Sequence, residues 1–169
     1  MTQSVDPDRY TVVPRTLAFL TRPGYVLLTR LPDDHPDWPG CYNGVGGHIE
    51  RGEDATSAAR REIVEETGLV PRNLRLCGTV WIDTGVQPGI ALLVFTGEAE
   101  GAPAAAGAEV PRWTPRQELE HLRLVQDLRV LLPRALDRNP DDPPFSALYR
   151  YDASGRLRIS FDGEGESVR

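Results

Sequence analysis

Most of the marks of a membrane, secreted or polymer-binding protein are missing from this chain. Its 169 residues include two cysteines, Cys41 and Cys77. Two are too few for a disulfide framework, and they lack the spacing of a zinc site such as C-x2-C. Both read as free thiols, with Cys77 a core filler. No apolar run approaches the roughly 18 residues of a membrane span. The opening stretch, Met1-Thr-Gln-Ser-Val-Asp-Pro-Asp8, has neither the basic start nor the apolar centre of a signal peptide. A cytoplasmic protein is therefore expected. Positive charge is scarce as well: 25 acidic residues face 19 basic ones, for a formal net charge of −6. Non-specific binding to nucleic-acid polymers depends on a basic surface, so that class of partner is excluded. A small anionic ligand is not, because a bound cation can supply the local positive charge. There is no internal repeat.

What remains is ordinary for a soluble domain, with 40% hydrophobic and 26% charged residues. The length fits one domain that buries roughly 70% of its unfolded surface. Residues 1–9 read as a flexible lead-in, 10–161 as the domain and 162–169 as a flexible tail. Tyr10 to Leu20 is rich in β-branched and aromatic residues and reads as a strand, with Pro14 marking an edge or a bulge. The turn Arg22-Pro-Gly24 leads into a second strand, Tyr25 to Arg30, whose closing arginine is a candidate substrate contact. Residues 31–41 hold three prolines, three aspartates, His35 and Trp38, and form a loop that can serve as a lid or substrate wall or as a plain surface connection.

Asp54 to Thr67 is a helix, with acidic residues at its start and Gly68 as its stop. Leu74 to Trp81 and Gly89 to Glu98 read as strands around a loop at 83–88, and residues 101–107 as a hairpin tip. Trp113 to Leu119 begins with a strand end and a short helix. Leu122 to Leu136 reads as a second helix interrupted at Pro133. The alternating segments Phe145 to Tyr151 and Arg156 to Phe161 form a closing hairpin. Strands, a helix, more strands, a helix and a hairpin make an α/β or α+β fold: a mixed sheet covered by helices.

The most informative residues lie between Gly47 and Leu69. Glu53, Glu62, Glu65 and Glu66 fall within 14 residues, and the last three share one helical face at i, i+3 and i+4. Like charges stacked in this way destabilise a helix by roughly 0.2–0.5 kcal/mol per pair. A divalent cation reverses that sign, and a hard cation such as Mg²⁺ takes carboxylate oxygens together with a phosphate-bearing substrate. Ala55, Ala58 and Ala59 lie on the same side and allow the helix to sit close to whatever carries the ligand.

Written as a pattern, G-x5-E-x7-R-E-U-x-E-E-x-G-U with U aliphatic, residues 47–69 fill every fixed position of the Nudix box. The chain thus resembles the Nudix hydrolases, which cleave a nucleoside diphosphate linked to another group. The resemblance implies an α/β/α sandwich with a mixed sheet and a Mg²⁺-dependent attack of water on a pyrophosphate phosphorus, with Mn²⁺ able to substitute. It further implies Glu62, Glu65, Glu66 and the Gly46 carbonyl as metal ligands, Glu53 near the metals and Arg61 as an orienting partner for a box carboxylate. The base that activates the water is either a box glutamate or an acidic residue in a later loop. Glu109, ahead of Trp113, matches the latter, with Glu98 and Glu100 as lesser candidates.

Outside the box, Tyr42-Asn43-Gly44-Val45-Gly46-Gly47 is similar to the entry segment of the family members that degrade oxidised purine nucleoside triphosphates. By that similarity Asn43 and Asp127 are candidate base contacts. His48 stands where such members carry lysine and is a candidate phosphate contact. The 31–41 loop is longer than theirs. ADP-ribose pyrophosphatases carry a proline about sixteen residues past the box and dinucleoside polyphosphate hydrolases a tyrosine near there, whereas this chain has Gly85 and Val86, with Pro88 slightly late. The expected partner is a small nucleotide of the 8-oxo-dGTP kind, bound by a monomer or homodimer. ADP-ribose, a dinucleotide, or a binding module without turnover are the alternatives.

Overall fold

Leu17, Ala18, Phe19 and Leu20 are apolar without a break, the pattern of a strand covered on both faces. A computed structural model, which describes residue 6, residues 8–162 and residues 167–168, places them in β1 (Val12–Arg22). The chain continues through β2 (Tyr25–Arg30), β3 (Tyr42–Asn43), α1 (Ala55–Thr67), β4 (Arg72–Asp83), β5 (Gly89–Glu98) and β6 (Val110–Pro115). A 3₁₀ helix (Arg116–His121), α2 (Leu128–Leu136), β7 (Phe145–Tyr151), β8 (Leu157–Phe161) and β9 (Ser167–Val168) follow.

The strand order is β3-β2-β1-β5-β4-β7-β8-β9, with β6 paired to β2. β1 with β5 and β4 with β7 are parallel; the other pairs are antiparallel. The sheet is thus mixed, as expected. The period of two divides β1 between two cores. Leu17 and Phe19 join Leu128, Leu131 and Leu132 of α2. Ala18 and Leu20 join Ala59 and Ile63 of α1. Helices therefore cover opposite faces of the sheet, which is the expected sandwich.

Three readings of the sequence change. Pro14 makes no bulge: it pairs in register with Ala91 inside the β1–β5 ladder. Its backbone faces the other edge of β1, where its carbonyl accepts from the Ile49 N–H at 3.2 Å. The missing N–H therefore removes no bond to β5. The second helix starts at Leu128 and not at Leu122. Residues 123–125 run alongside β3, with the Tyr42 N–H donating to the Arg123 carbonyl at 2.7 Å and the Val125 N–H to the Tyr42 carbonyl at 3.0 Å, and residues 126–127 turn into the helix. Pro133 lies inside α2 without ending it.

The expectation of flexible ends falls largely on residues outside the described ones, namely 1–5, 7, 163–166 and 169. Of the rest, Asp162 accepts from the Ser146 N–H at 2.8 Å and from Arg134 at 2.9 Å, and β9 pairs with β8. Among the described residues no helix is long and apolar enough to cross a membrane.

Candidate active site

The segment before α1 zips onto the edge of β1 that β5 leaves free. The Ala18 N–H donates to the Val45 carbonyl at 2.7 Å and the Thr16 N–H to the Gly47 carbonyl at 2.8 Å. The approach is close enough that a Cβ on Gly46 would stand 2.1 Å from the Thr16 carbonyl oxygen. A Cβ on Gly47 would stand 2.4 Å from Glu62 Oε1. Glycine at 47 thus makes the cradle in which one box carboxylate lies.

Helix α1 is fixed at both ends. The Asp54 carboxylate accepts from the Thr56 and Ser57 N–H groups as an N-cap; the Ser57 hydroxyl foremost, and then these N–H groups, hold its pKa down, and Gly68 closes the helix at φ +69°. Ala58, Ala59 and Ile63 are buried against the sheet. Glu62 and Glu66, one turn apart, therefore emerge half-buried at the rim of the packed face, while Glu65 points outward with 58% of its side chain exposed.

Arg61 organises the group. Its Nε and Nη2 grip both oxygens of Glu53 at 2.9 and 3.0 Å. Nη1 donates to Glu62 at 2.8 Å and to Glu65 at 3.0 Å, and Nη2 also donates to the His48 carbonyl at 3.1 Å. The fork pulls the Glu53 pKa down and raises that of the guanidinium itself.

Glu66 is left out of this arrangement. Its Oε2 is buried with no hydrogen-bond partner. Burial first, then the nearby charges of Glu109, Glu62 and Glu65, push its pKa up to about 8, against the Gly46 backbone amide, which lowers it. Glu109 is itself half-buried and raised for the same first reason, burial. Among the described residues no three acidic, histidine or cysteine side chains are already drawn together around a metal position, and Arg61 keeps Glu62 and Glu65 to itself. The donor set nevertheless suits a hard cation: it is all oxygen, anionic in excess, and contains one buried oxygen without a partner.

A cavity of about 320 Å³ opens beside the glycine turn, and Gly46 belongs both to its lining and to the surroundings of Glu66. Asn43 and Asp127 line it, together with Trp38, Tyr149 and Tyr151. Asn43 Oδ1 accepts from the Gly44 N–H at 2.9 Å, which leaves its amide NH₂ as the free donor. A larger groove of about 630 Å³ between the 3₁₀ helix and α2 contains none of the box glutamates.

Not every candidate converges on this place. Arg30 is paired with Asp33 and does not line the cavity, and the exposed His48 reaches the group only through its carbonyl. Glu98 and Glu100 are held by Asn73 and Arg72 and lie outside the cavity lining. The 31–41 loop does contribute to the site, since Asp37 and Trp38 reach the cavity. The His35 ring shapes it, with Nδ1 accepting from the Trp38 N–H at 3.1 Å. The residue that sequence reasoning overlooked is Tyr149. Its signal was present: the buried positions of β7 run Phe145, Ala147, Tyr149, so the inward face ends on a polar-tipped side chain.

The family model of the NUDIX domain matches residues 12–135. An oxidized purine nucleoside triphosphate hydrolase of Danio rerio is 33% identical over 100 residues, covering 58% of this chain. The chain spans 63% of that relative's length. A MutT protein from Bacillus halodurans superposes with a TM-score of 0.72 over 91% of this chain and 100% of its own, at 20% identity. The NUDIX domain of Shewanella oneidensis NrtR, in complex with ADP-ribose, gives a TM-score of 0.65 over 79% of this chain and 93% of its own, at 21% identity. At such identities the two structures speak for the fold alone.

Proposed function

The chain belongs to the NUDIX family, and on that premise we propose that it is a Mg²⁺-dependent pyrophosphohydrolase acting on a purine nucleoside triphosphate. Its products are the nucleoside monophosphate and pyrophosphate, and oxidised purines of the 8-oxo-dGTP kind are the favoured substrates. One observation carries the reading: an unpartnered, buried Glu66 oxygen stands among like charges, next to a base-sized cavity that contains Asn43 and Asp127. The Danio rerio relative supports the choice of purine.

In this reading Glu62, Glu65, Glu66 and the Gly46 carbonyl hold Mg²⁺, or Mn²⁺ in its place. The cation neutralises the phosphate oxygens when bound. Arg61 keeps Glu53, Glu62 and Glu65 in register. Glu109 accepts the proton of the attacking water; burial raises its pKa toward the working range of a general base. Asn43 and Asp127 orient the base and so align the phosphate chain with the glutamates. The partner is a small nucleotide and not a polymer, in keeping with the net charge of −6. The free thiols Cys41 and Cys77 suit a reducing, cytoplasmic setting.

The test is product release from dGTP, 8-oxo-dGTP, dATP, ADP-ribose and diadenosine tetraphosphate, each with Mg²⁺ or Mn²⁺, for the wild type and Glu66→Gln. Pyrophosphate from a purine triphosphate, reduced more than about a hundredfold in the variant, is the expected result. AMP released only from ADP-ribose or the dinucleotide would overturn the substrate. Equal activity of Glu66→Gln would overturn the site.

A further inference from the structure

We propose that the Tyr149 hydroxyl is a specificity-determining contact that reads the position-6 edge of the purine. The inference rests on the function proposed above and deepens it at the base end of the cavity.

Tyr149 is only 2% exposed, and its hydroxyl has no hydrogen-bond partner within the protein. A buried hydroxyl left unpaired is costly, and phenylalanine would fill the same volume without that cost. Along the inward face of β7, Phe145 and Ala147 are packed in the core, and the polar tip arrives only where the strand reaches the cavity. Burial foremost raises the pKa of both Tyr149 and Asp127, and the neighbouring Asp127 carboxyl adds to the shift of the hydroxyl. The two groups thus stand side by side.

A hydroxyl donor beside a carboxyl acceptor complements an edge that carries one acceptor next to one donor. The six-membered ring of guanine presents such an edge, O6 beside N1–H, so that the hydroxyl donates to O6 and the carboxylate accepts from N1–H. Asn43, with its oxygen engaged by Gly44, faces the same cavity with a donor. The phosphate end is fixed by the glutamates on the other side of Gly46, so the base enters edge-first toward Tyr149.

The experiment uses the full chain and Tyr149→Phe, which removes one oxygen and no packing. The substrates are dGTP and the triphosphate of unsubstituted purine 2′-deoxyriboside, which has hydrogen at position 6 and no N1–H. For dGTP, kcat/KM should fall about tenfold in the variant, chiefly through KM, since a missing hydrogen bond at a polar edge carries an effect of that order. For the unsubstituted purine it should change less than about twofold, and the melting temperature should stay level or rise. An equal loss on both substrates would make Tyr149 a packing residue and overturn the contact. So would unchanged kinetics on dGTP in an active enzyme. Wild-type inactivity on every purine triphosphate would overturn the proposed function, and this contact with it.

Discussion

Arg61 has five N–H donors in a rigid fork, and all five have acceptors: two on Glu53, one each on Glu62 and Glu65, and one on the His48 carbonyl. Lysine keeps the charge but cannot hold that geometry. Arg61→Lys should therefore lower kcat about 10–100-fold while the thermal melt stays close to that of the wild type. A melt that falls in step with kcat would mean that the fork supports the fold instead. The neighbouring glycines separate the same two roles. An alanine Cβ at position 46 meets the Thr16 backbone oxygen at 2.1 Å, which cannot move without moving β1. At position 47 it meets the Glu62 carboxylate, the far end of a side chain. Gly46→Ala should thus lower the melting temperature, whereas Gly47→Ala should lower activity by at least about tenfold with little change in the melt. The reverse pattern would contradict the cradle.

Among the elements, α1 carries the glutamates of the proposed chemistry and α2 carries packing. Ile63 and Leu131 are both fully buried, one beneath each helix. Truncation of either to alanine should destabilise the fold by about 2–5 kcal/mol in urea titrations. Only Ile63→Ala should also reduce kcat at a temperature where both variants are folded, because its cavity lies under the glutamate helix. The closing hairpin gives a pH-dependent signature. Asp152 accepts from Ser154 and from the Arg156 N–H and pairs with Arg158, and these partners, the Ser154 hydroxyl foremost, hold its pKa well below the usual carboxylate range. Such a carboxylate stabilises fully above its unfolded pKa, and the contribution is lost as pH falls toward the folded value. The melting-temperature gap between the wild type and Asp152→Ala should thus be full at pH 6 and shrink below about pH 4. A gap that is independent of pH would mean that the charge is irrelevant there.

Elements with local signals were legible in the sequence. Helix α1 has a cap, a stop and a spacing, and β7 and β8 have alternation around a short polar turn. The start of α2 was not legible, because residues 123–125 are bonded to Tyr42, about eighty positions away in the chain. Pro14 misled for a similar reason: whether a missing N–H matters depends on which edge of the strand it faces.

At the scale of the whole molecule, the site joins a local motif to a long-range cavity. The glutamates lie within one box, and a pattern in the sequence finds them. The cavity draws Trp38 from a loop, Asn43 from β3, Asp127 from the start of α2 and Tyr149 from β7. No spacing rule links those four: the sequence offers Asn43, Asp127 and the 31–41 loop as separate candidates, and the fold adds Tyr149 and brings them together. All 19 basic residues are arginine, so no lysine is available to neutralise a phosphate. Arg61 is fully engaged by Glu53, Glu62, Glu65 and the His48 carbonyl, and Arg15 is the arginine that lines the cavity; the proposed chemistry draws the rest of that charge from a bound cation. The most direct test is ³¹P NMR of a purine nucleoside triphosphate incubated with the protein, with Mg²⁺ and then with chelator. Growth of a pyrophosphate resonance alongside the monophosphate, stopped by chelator, is the result expected. Release of orthophosphate with the diphosphate, or turnover that persists in chelator, would contradict a cation-dependent pyrophosphohydrolase.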